Sequence, residues 1–273
     1  MKRTAKLFIL LAFSICLILT SCPNSISAEV SSQLTTIDTQ SKIAGTGFSI
    51  INESTNNDRF VSRIAVPSLN TASKVSVGYV NVGLEGNGSG TMYAKLWKVG
   101  TIKNPKITVN LQRKYTGGSW TVITKKTFTS IGSIATPSKI SASTNKTAFW
   151  KVTLSGSLNG GNVTYSTYEF LYNKKAVRYP DYTDSGSKKK LTVPATNLSV
   201  VPVSQRVSWT STDRKNYISW YNKNYPNKIN DWSKYQIHHI KPRQYGGTNS
   251  NSNLIPLLTT YHQKTVSPWW SNY

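Results

Sequence analysis

The chain has three histidines, and all of them fall within one stretch, YQIHHIKPRQYGGTNSNSNLIPLLTTYHQ, residues 235–263: His238, His239 and His262. Imidazole is the side chain whose unperturbed pKa lies nearest neutrality, and in its neutral form it is a common metal ligand. Two imidazoles brought together can hold one divalent metal, and a third beside them can take a proton from water. A metal and a base together hydrolyse esters: the base prepares water, and the cation stabilises charge on the scissile phosphate and the leaving oxygen. The stretch has no Asp or Glu. Neutral ligands leave a metal fully cationic, which suits an anionic phosphodiester. A single histidine usually packs or faces solvent; three in one stretch, joined by Gly-Gly and Asn, set this one apart.

These residues need elements to position them. Tyr235 to Ile240 reads as a short strand, and neighbours on a strand point to opposite faces. His238 and His239 therefore serve different directions. Pro242 and Gly246-Gly247 force a turn, and Asn249, Ser250, Asn251 and Ser252 are loop chemistry. Leu254, Ile255, Leu257 and Leu258 form an apolar run that can cover a small core. Thr259 or Thr260 is placed to cap a final helix carrying His262. The expected outline is strand, loop, strand, helix. Upstream, Thr212 or Asp213 is placed to cap another helix, with Tyr217, Trp220, Tyr221 and Tyr225 at helical spacing until Pro226 ends it. That aromatic stripe is expected to pack the helix onto the histidine stretch; stacking bases is its other use.

With these residues in view, the stretch resembles the HNH (His-Me finger) endonucleases, in the bacterial-toxin branch that carries His-His-x-x-Pro. The matching elements are His238-His239-Ile240-Lys241-Pro242, Gly246-Gly247-Thr248-Asn249, Asn253-Leu254-Ile255-Pro256-Leu257 and His262, over residues 206–273. The resemblance implies a small ββα-metal domain and hydrolysis of nucleic-acid phosphodiester bonds. It implies that His239 is the general base, and that His238 and His262 hold a divalent metal. Asn253 would hold the loop and orient the base. The related toxin domains carry a further His one helical turn on; here Gln263, Lys264, Thr265 and Val266 follow instead. The cofactor expectation is thus one divalent ion among Mg, Mn, Ni and Zn. Lys241, Arg243 and Lys264 are candidate phosphate contacts. Trp269, Trp270 and Tyr273 read as a hydrophobic clasp, with base stacking as the alternative.

The whole chain carries 33 Lys and Arg against 10 Asp and Glu, a formal charge of +23. That balance favours a polyanionic partner, whether nucleic acid (DNA first), an acidic wall polymer or an anionic membrane face. Residues 1–28 read as an export signal: Lys2, Arg3 and Lys6 precede an apolar run, Leu7 to Leu19, shorter than the roughly 20 residues a span needs. Leu19-Thr20-Ser21-Cys22 resembles a bacterial lipobox, which would lipidate Cys22; cleavage after Ala28 is the alternative. The expectation is a secreted or extracytoplasmic protein, toxin or scavenging nuclease, with membrane contact only through a lipid anchor. A toxin would have an immunity protein as partner. The only cysteines, Cys16 and Cys22, lie in this leader, so neither a disulfide nor a thiolate metal site is expected beyond it.

The remaining organisation follows texture. Residues 29–45 read as a Ser/Thr-rich tether. Over 46–175, apolar alternation at 74–82, 106–112 and 149–154 predicts an antiparallel β-sandwich-like domain of unknown ligand, with a hairpin turn at Tyr115–Trp120. Residues 176–205, with Lys188, Lys189 and Lys190, read as a linker. The fold class is α+β. The competing functional reading is a non-catalytic, envelope-displayed binding protein for nucleic acid or acidic wall polymers.

Overall fold

Alternation along the strands builds the larger part of the molecule. In a computed structural model, which describes residues 42–56, 59–68 and 76–273, eleven strands of this part form two antiparallel sheets. One sheet runs β1 (Lys42–Ala44), β10 (Gly161–Ser166), β9 (Ala148–Leu158), β6 (Lys106–Lys114), β7 (Thr121–Phe128), with β11 (Phe170–Tyr172) also paired to β9. The other runs β2 (Ser49–Asn56), β3 (Arg59–Pro67), β4 (Ser76–Gly86), β5 (Thr91–Gly100), β8 (Ser138–Ser143). Inward residues of both sheets share one core: Val80, Val82 and Leu84 of β4 meet Ile107, Val109, Leu111, Trp150, Val152 and Leu154 of β6 and β9. The antiparallel, strand-rich α+β class expected from alternation is what is observed. The Tyr115–Trp120 turn does join two paired strands, β6 and β7.

Two boundaries differ from expectation. Lys42–Ala44, read as the end of the tether, pairs with β10 as β1. The Ser/Thr composition hid it because a three-residue edge strand needs only backbone hydrogen bonds. Residues 176–205, read as a linker, have little regular structure, yet they are packed: Tyr179 and Leu191 are buried. The leader with Cys22, and residues 29–41 of the tether, lie outside the described residues.

The C-terminal quarter supplies α1 (Ser211–Asn224), a two-stranded sheet of β12 (Tyr235–His239) and β13 (Leu254–Leu258), then α2 (Thr259–Tyr261), a π-helical turn His262–Val266 and α3 (Ser267–Ser271). The cap of α1 is Thr210, with Asp213 as its reciprocal partner in a capping box, two residues before the expected Thr212. The expected side-chain cap of the last helix is absent: Thr259 is already helical, and its Oγ1 donates to the carbonyl of Lys234.

The β12–β13 hairpin has a core on each face. Tyr235, Ile237 and Leu254 face Tyr217 and Tyr221 of α1. Ile240, Ile255 and Leu257 belong with Trp269, Trp270, Tyr179, Leu191 and Leu171 of β11. Aromatic residues of α1 thus pack the helix, and Trp269, Trp270 and Tyr273 are a clasp rather than a free platform. Trp269 is buried, meets Tyr179 edge-on at 4.6 Å and donates from Nε1 to the carbonyl of Val177 at 2.9 Å. We predict that Trp269→Ala costs about 3–5 kcal/mol, read as a lowered midpoint in urea unfolding followed by circular dichroism; a loss under about 1 kcal/mol would contradict this packing.

Candidate functional site

Antiparallel pairing fixes where the imidazoles point. His238 lies opposite Ile255 and His239 opposite Leu254, at the end of β12. They therefore project to the two faces of the hairpin, as alternation requires. Ile240 N–H donates to the carbonyl of Asn253, closing the hairpin just past His239.

On one face His238 turns toward the last helix. Its Nδ1 lies 3.1 Å from Nε2 of His262. The two sequence-predicted metal ligands, 24 residues apart, do meet. The π turn matters here. In an α-helix the residue one turn after His262 would be Val266, which is buried in the core. The wider turn brings Ser267 into register instead, and its Oγ lies 3.3 Å from Nδ1 of His262. Burial, reinforced by the neighbouring imidazoles, pushes His238 down to about 3, and burial also lowers His262. Both rings are neutral at neutral pH, the state in which imidazole ligates metal.

The donor set can be tested against a metal. Nitrogens 3.1 Å apart, each about 2.0–2.1 Å from a shared cation, subtend about 100° there, between octahedral and tetrahedral angles. With the proton of His262 on Nδ1, facing Ser267, and that of His238 on Nε2, both lone pairs face the same gap. His238 Nε2 is buried with no hydrogen-bond partner, which leaves Nδ1 as the nitrogen with a partner to serve. The pair fits a divalent ion that keeps open positions. Among the described residues no group of three or more His, Cys, Asp or Glu gathers at one point.

On the opposite face His239 is held differently. Its Nε2 is 2.8 Å from Oδ1 of Asn249. Asn249 donates from Nδ2 to the carbonyl of Ser208 at 2.7 Å, which fixes the orientation of its amide. Oδ1 is an acceptor, so His239 must donate from Nε2, and its basic lone pair sits on Nδ1. Trp209 meets the ring edge-on at 5.0 Å. Burial is the largest influence on His239 and lowers its pKa; Arg243 acts the same way, while Asn249 and Asp213 oppose it. His239 is thus a neutral base with one free nitrogen.

Asn253, expected to orient the base, directs its side-chain hydrogen bonds to Lys241 and Thr248 instead of His239. The Asn253 side chain accepts from Lys241 N–H at 2.9 Å and donates to the carbonyls of Lys241 and Thr248 at 3.1 and 2.8 Å. It ties the loop; the carboxamide on the base is Asn249. The distinction arises because Asn253 sits at the mouth of the hairpin, while Asn249 rides on the loop that folds back over Ser208. Gly247 is needed where the loop crosses Lys241, since a Cβ there would collide with that carbonyl. Lys241 and Lys264 are exposed, and Arg243 is half-buried, donating to the carbonyl of Val207 at 3.0 Å.

Sequence reasoning also missed Lys189. Its Nζ donates to the carbonyls of Asn251 and Leu254, pinning the loop and the first residue of β13. Asp184, buried nearby, accepts from Tyr221 Oη at 2.7 Å. Only the Lys run hinted at this segment, and a charge run does not reveal a carbonyl anchor.

No family model matches the chain, and no curated protein or solved structure is significantly similar to it. The geometry predicts the tautomer directly: long-range 15N–1H NMR of the apoprotein should show His239 protonated on Nε2, and Asn249→Leu should abolish that preference. An Nδ1-protonated His239 in the unsubstituted protein would overturn the assignment.

Proposed function

We propose that the protein is an exported, metal-dependent endonuclease of the HNH type, with residues 206–273 as a ββα-metal nuclease domain. The observation that carries this is the division of labour along β12: His238 converges with His262 to 3.1 Å, while the adjacent His239 is held by Asn249 with a free Nδ1. Hydrolysis of an anionic ester requires a ligand pair and a base, and this reading needs the phosphate to sit at the end of β12, with the ion on one side of the strand and His239 Nδ1 on the other.

In this reading His238 Nδ1 and His262 Nε2 hold the ion, and Ser267 faces the other nitrogen of His262. When bound, the ion supplies positive charge for the phosphate oxygens and the leaving oxygen. His239 Nδ1 takes a proton from the attacking water, and Asn249 stabilises the resulting imidazolium through the Nε2–H bond, as a neutral acceptor fixed by Ser208. Trp209 limits rotation of the ring. Residues 206–273 carry nine Lys and Arg against Asp213 and Asp231, which favours a nucleic-acid surface. Lys241, Arg243 and Lys264 border the histidines and are the proposed phosphate contacts. Export as a toxin, with an immunity protein, or as a scavenger remains part of the proposal, as does the lipid anchor at Cys22.

A second reading is favoured by the same 3.1 Å separation. A proton shared between the two rings fills that gap as well as a cation does, and the pair would then only join strand to helix in a non-catalytic binding protein. Metal separates the two. The purified protein, including residues 171–205 whose side chains complete the hairpin core, is incubated with plasmid DNA in turn with Mg, Mn, Ni and Zn. We expect nicking with at least one metal, abolished by EDTA, and His239→Ala to slow it by about 10²–10⁴-fold. Cutting that His239→Ala leaves unchanged, or no cutting with any metal, would favour the binding protein.

A further inference from the structure

The histidine hairpin does not account for the larger sheet, whose solvent face is strongly basic. β6 sends Ile107, Val109 and Leu111 inward, leaving the intervening positions, Lys106 through Lys114, on the other face. Strand register aligns Lys42, Ser166, Thr153, Asn110 and Lys125 in one row across five strands. Such a row spans about 19 Å at the ~4.8 Å spacing of neighbouring strands. Lys151, opposite Gln112, lies on the same face. Lys42, Lys106, Lys114, Lys125 and Lys151 thus share a face with hydroxyls and carboxamides, and among the described residues the carboxylate beside them is Glu169, paired with Lys114 at 2.7 Å.

One corner of this face is more specific. The Nζ atoms of Lys151 and Lys114 lie 4.3 and 4.8 Å from the centroid of the Trp120 ring. The ring lets two ammonium groups sit close together. Burial lowers the pKa of Lys151, with Lys114 and Lys42 pushing the same way against Glu169. Its charge therefore lacks full compensation. Next to the pair is a hollow of about 360 Å³, lined by Lys114, Gly117, Gly118, Phe149, Val193 and Pro194. An aromatic and aliphatic floor beside paired cations suits a flat ring joined to a phosphate.

We propose that this face and its hollow bind single-stranded nucleic acid, with a base against Phe149 and Pro194 and the adjoining phosphates on Lys114, Lys151 and the lysine row. A strand with unpaired bases has both the flat apolar ring and the regular negative charge that the surface matches. An acidic wall polymer has the charge without the ring, and a duplex keeps its rings stacked away. No histidine lines the hollow, and its occupancy does not depend on hydrolysis.

The test is fluorescence anisotropy of the purified protein with a labelled oligothymidylate of about 15 nucleotides, in EDTA and low salt. Without divalent metal a bound strand is not cut. We expect Phe149→Ala and Lys151→Gln each to weaken binding by about five- to tenfold, and Lys139→Gln, exposed on β8 of the other sheet, to bind like the unsubstituted protein. Lys42→Gln, at an exposed edge strand remote from the core, is expected to lose about threefold, and it covers the case in which thermal melts show Phe149→Ala to be unfolded. Wild-type binding by Lys151→Gln and Lys42→Gln overturns the proposal. So does displacement by polyphosphate as effective, per charge, as by unlabelled oligonucleotide, or tighter binding of a duplex. A protein that cuts no plasmid yet shows the expected binding loses the nuclease reading and keeps this one.

Discussion

Strand alternation at the end of β12 is the constraint on which the histidine chemistry depends. Adjacent side chains on a strand cannot share a direction, so His238 and His239 must serve opposite sides of the hairpin. This would be idle if one side faced water. Both sides are covered: Tyr217 and Tyr221 press on one, Trp269 and Trp270 on the other. The two cores lock the strand against rotation, and each imidazole then finds a different partner, His262 or Asn249. Slipping the register by one residue would exchange the two histidines and break both contacts.

Burial then sets the protonation states. Each histidine loses water, and for each the loss of hydration is the largest influence on its pKa. An imidazole whose folded pKa is depressed resists charging, so the unfolded chain takes the proton first and stability is lost as pH falls from the ordinary imidazole range toward that lowered value. The basic surroundings act in the same sense at His239 through Arg243.

Much of this was legible in the chain. The period-2 runs announced β6 and β9 because both sheet faces are consistently different, one apolar and one polar. The meeting of His238 and His262 was implied by the resemblance to the HNH endonucleases. What stayed hidden depended on contacts between distant segments. Asn249 looked like ordinary loop chemistry, because nothing local says that its amide will reach Ser208. The resemblance pointed to Asn253 as the partner of His239, whereas Asn249 makes that hydrogen bond. Residues 176–205 have no periodicity, since their burial comes from isolated side chains such as Tyr179 and Leu191. The shift of the α1 cap from Thr212 to Thr210 is the usual uncertainty of a helix end where Thr, Ser, Thr and Asp follow one another.

The clasp also conditions the meeting of the two imidazoles. His262 reaches His238 only from a helix whose Trp269 and Trp270 are seated on Tyr179, and Tyr179 itself follows the last strand of the sheet. Loss of that seating would leave the helix, and with it His262, without its hold on the hairpin.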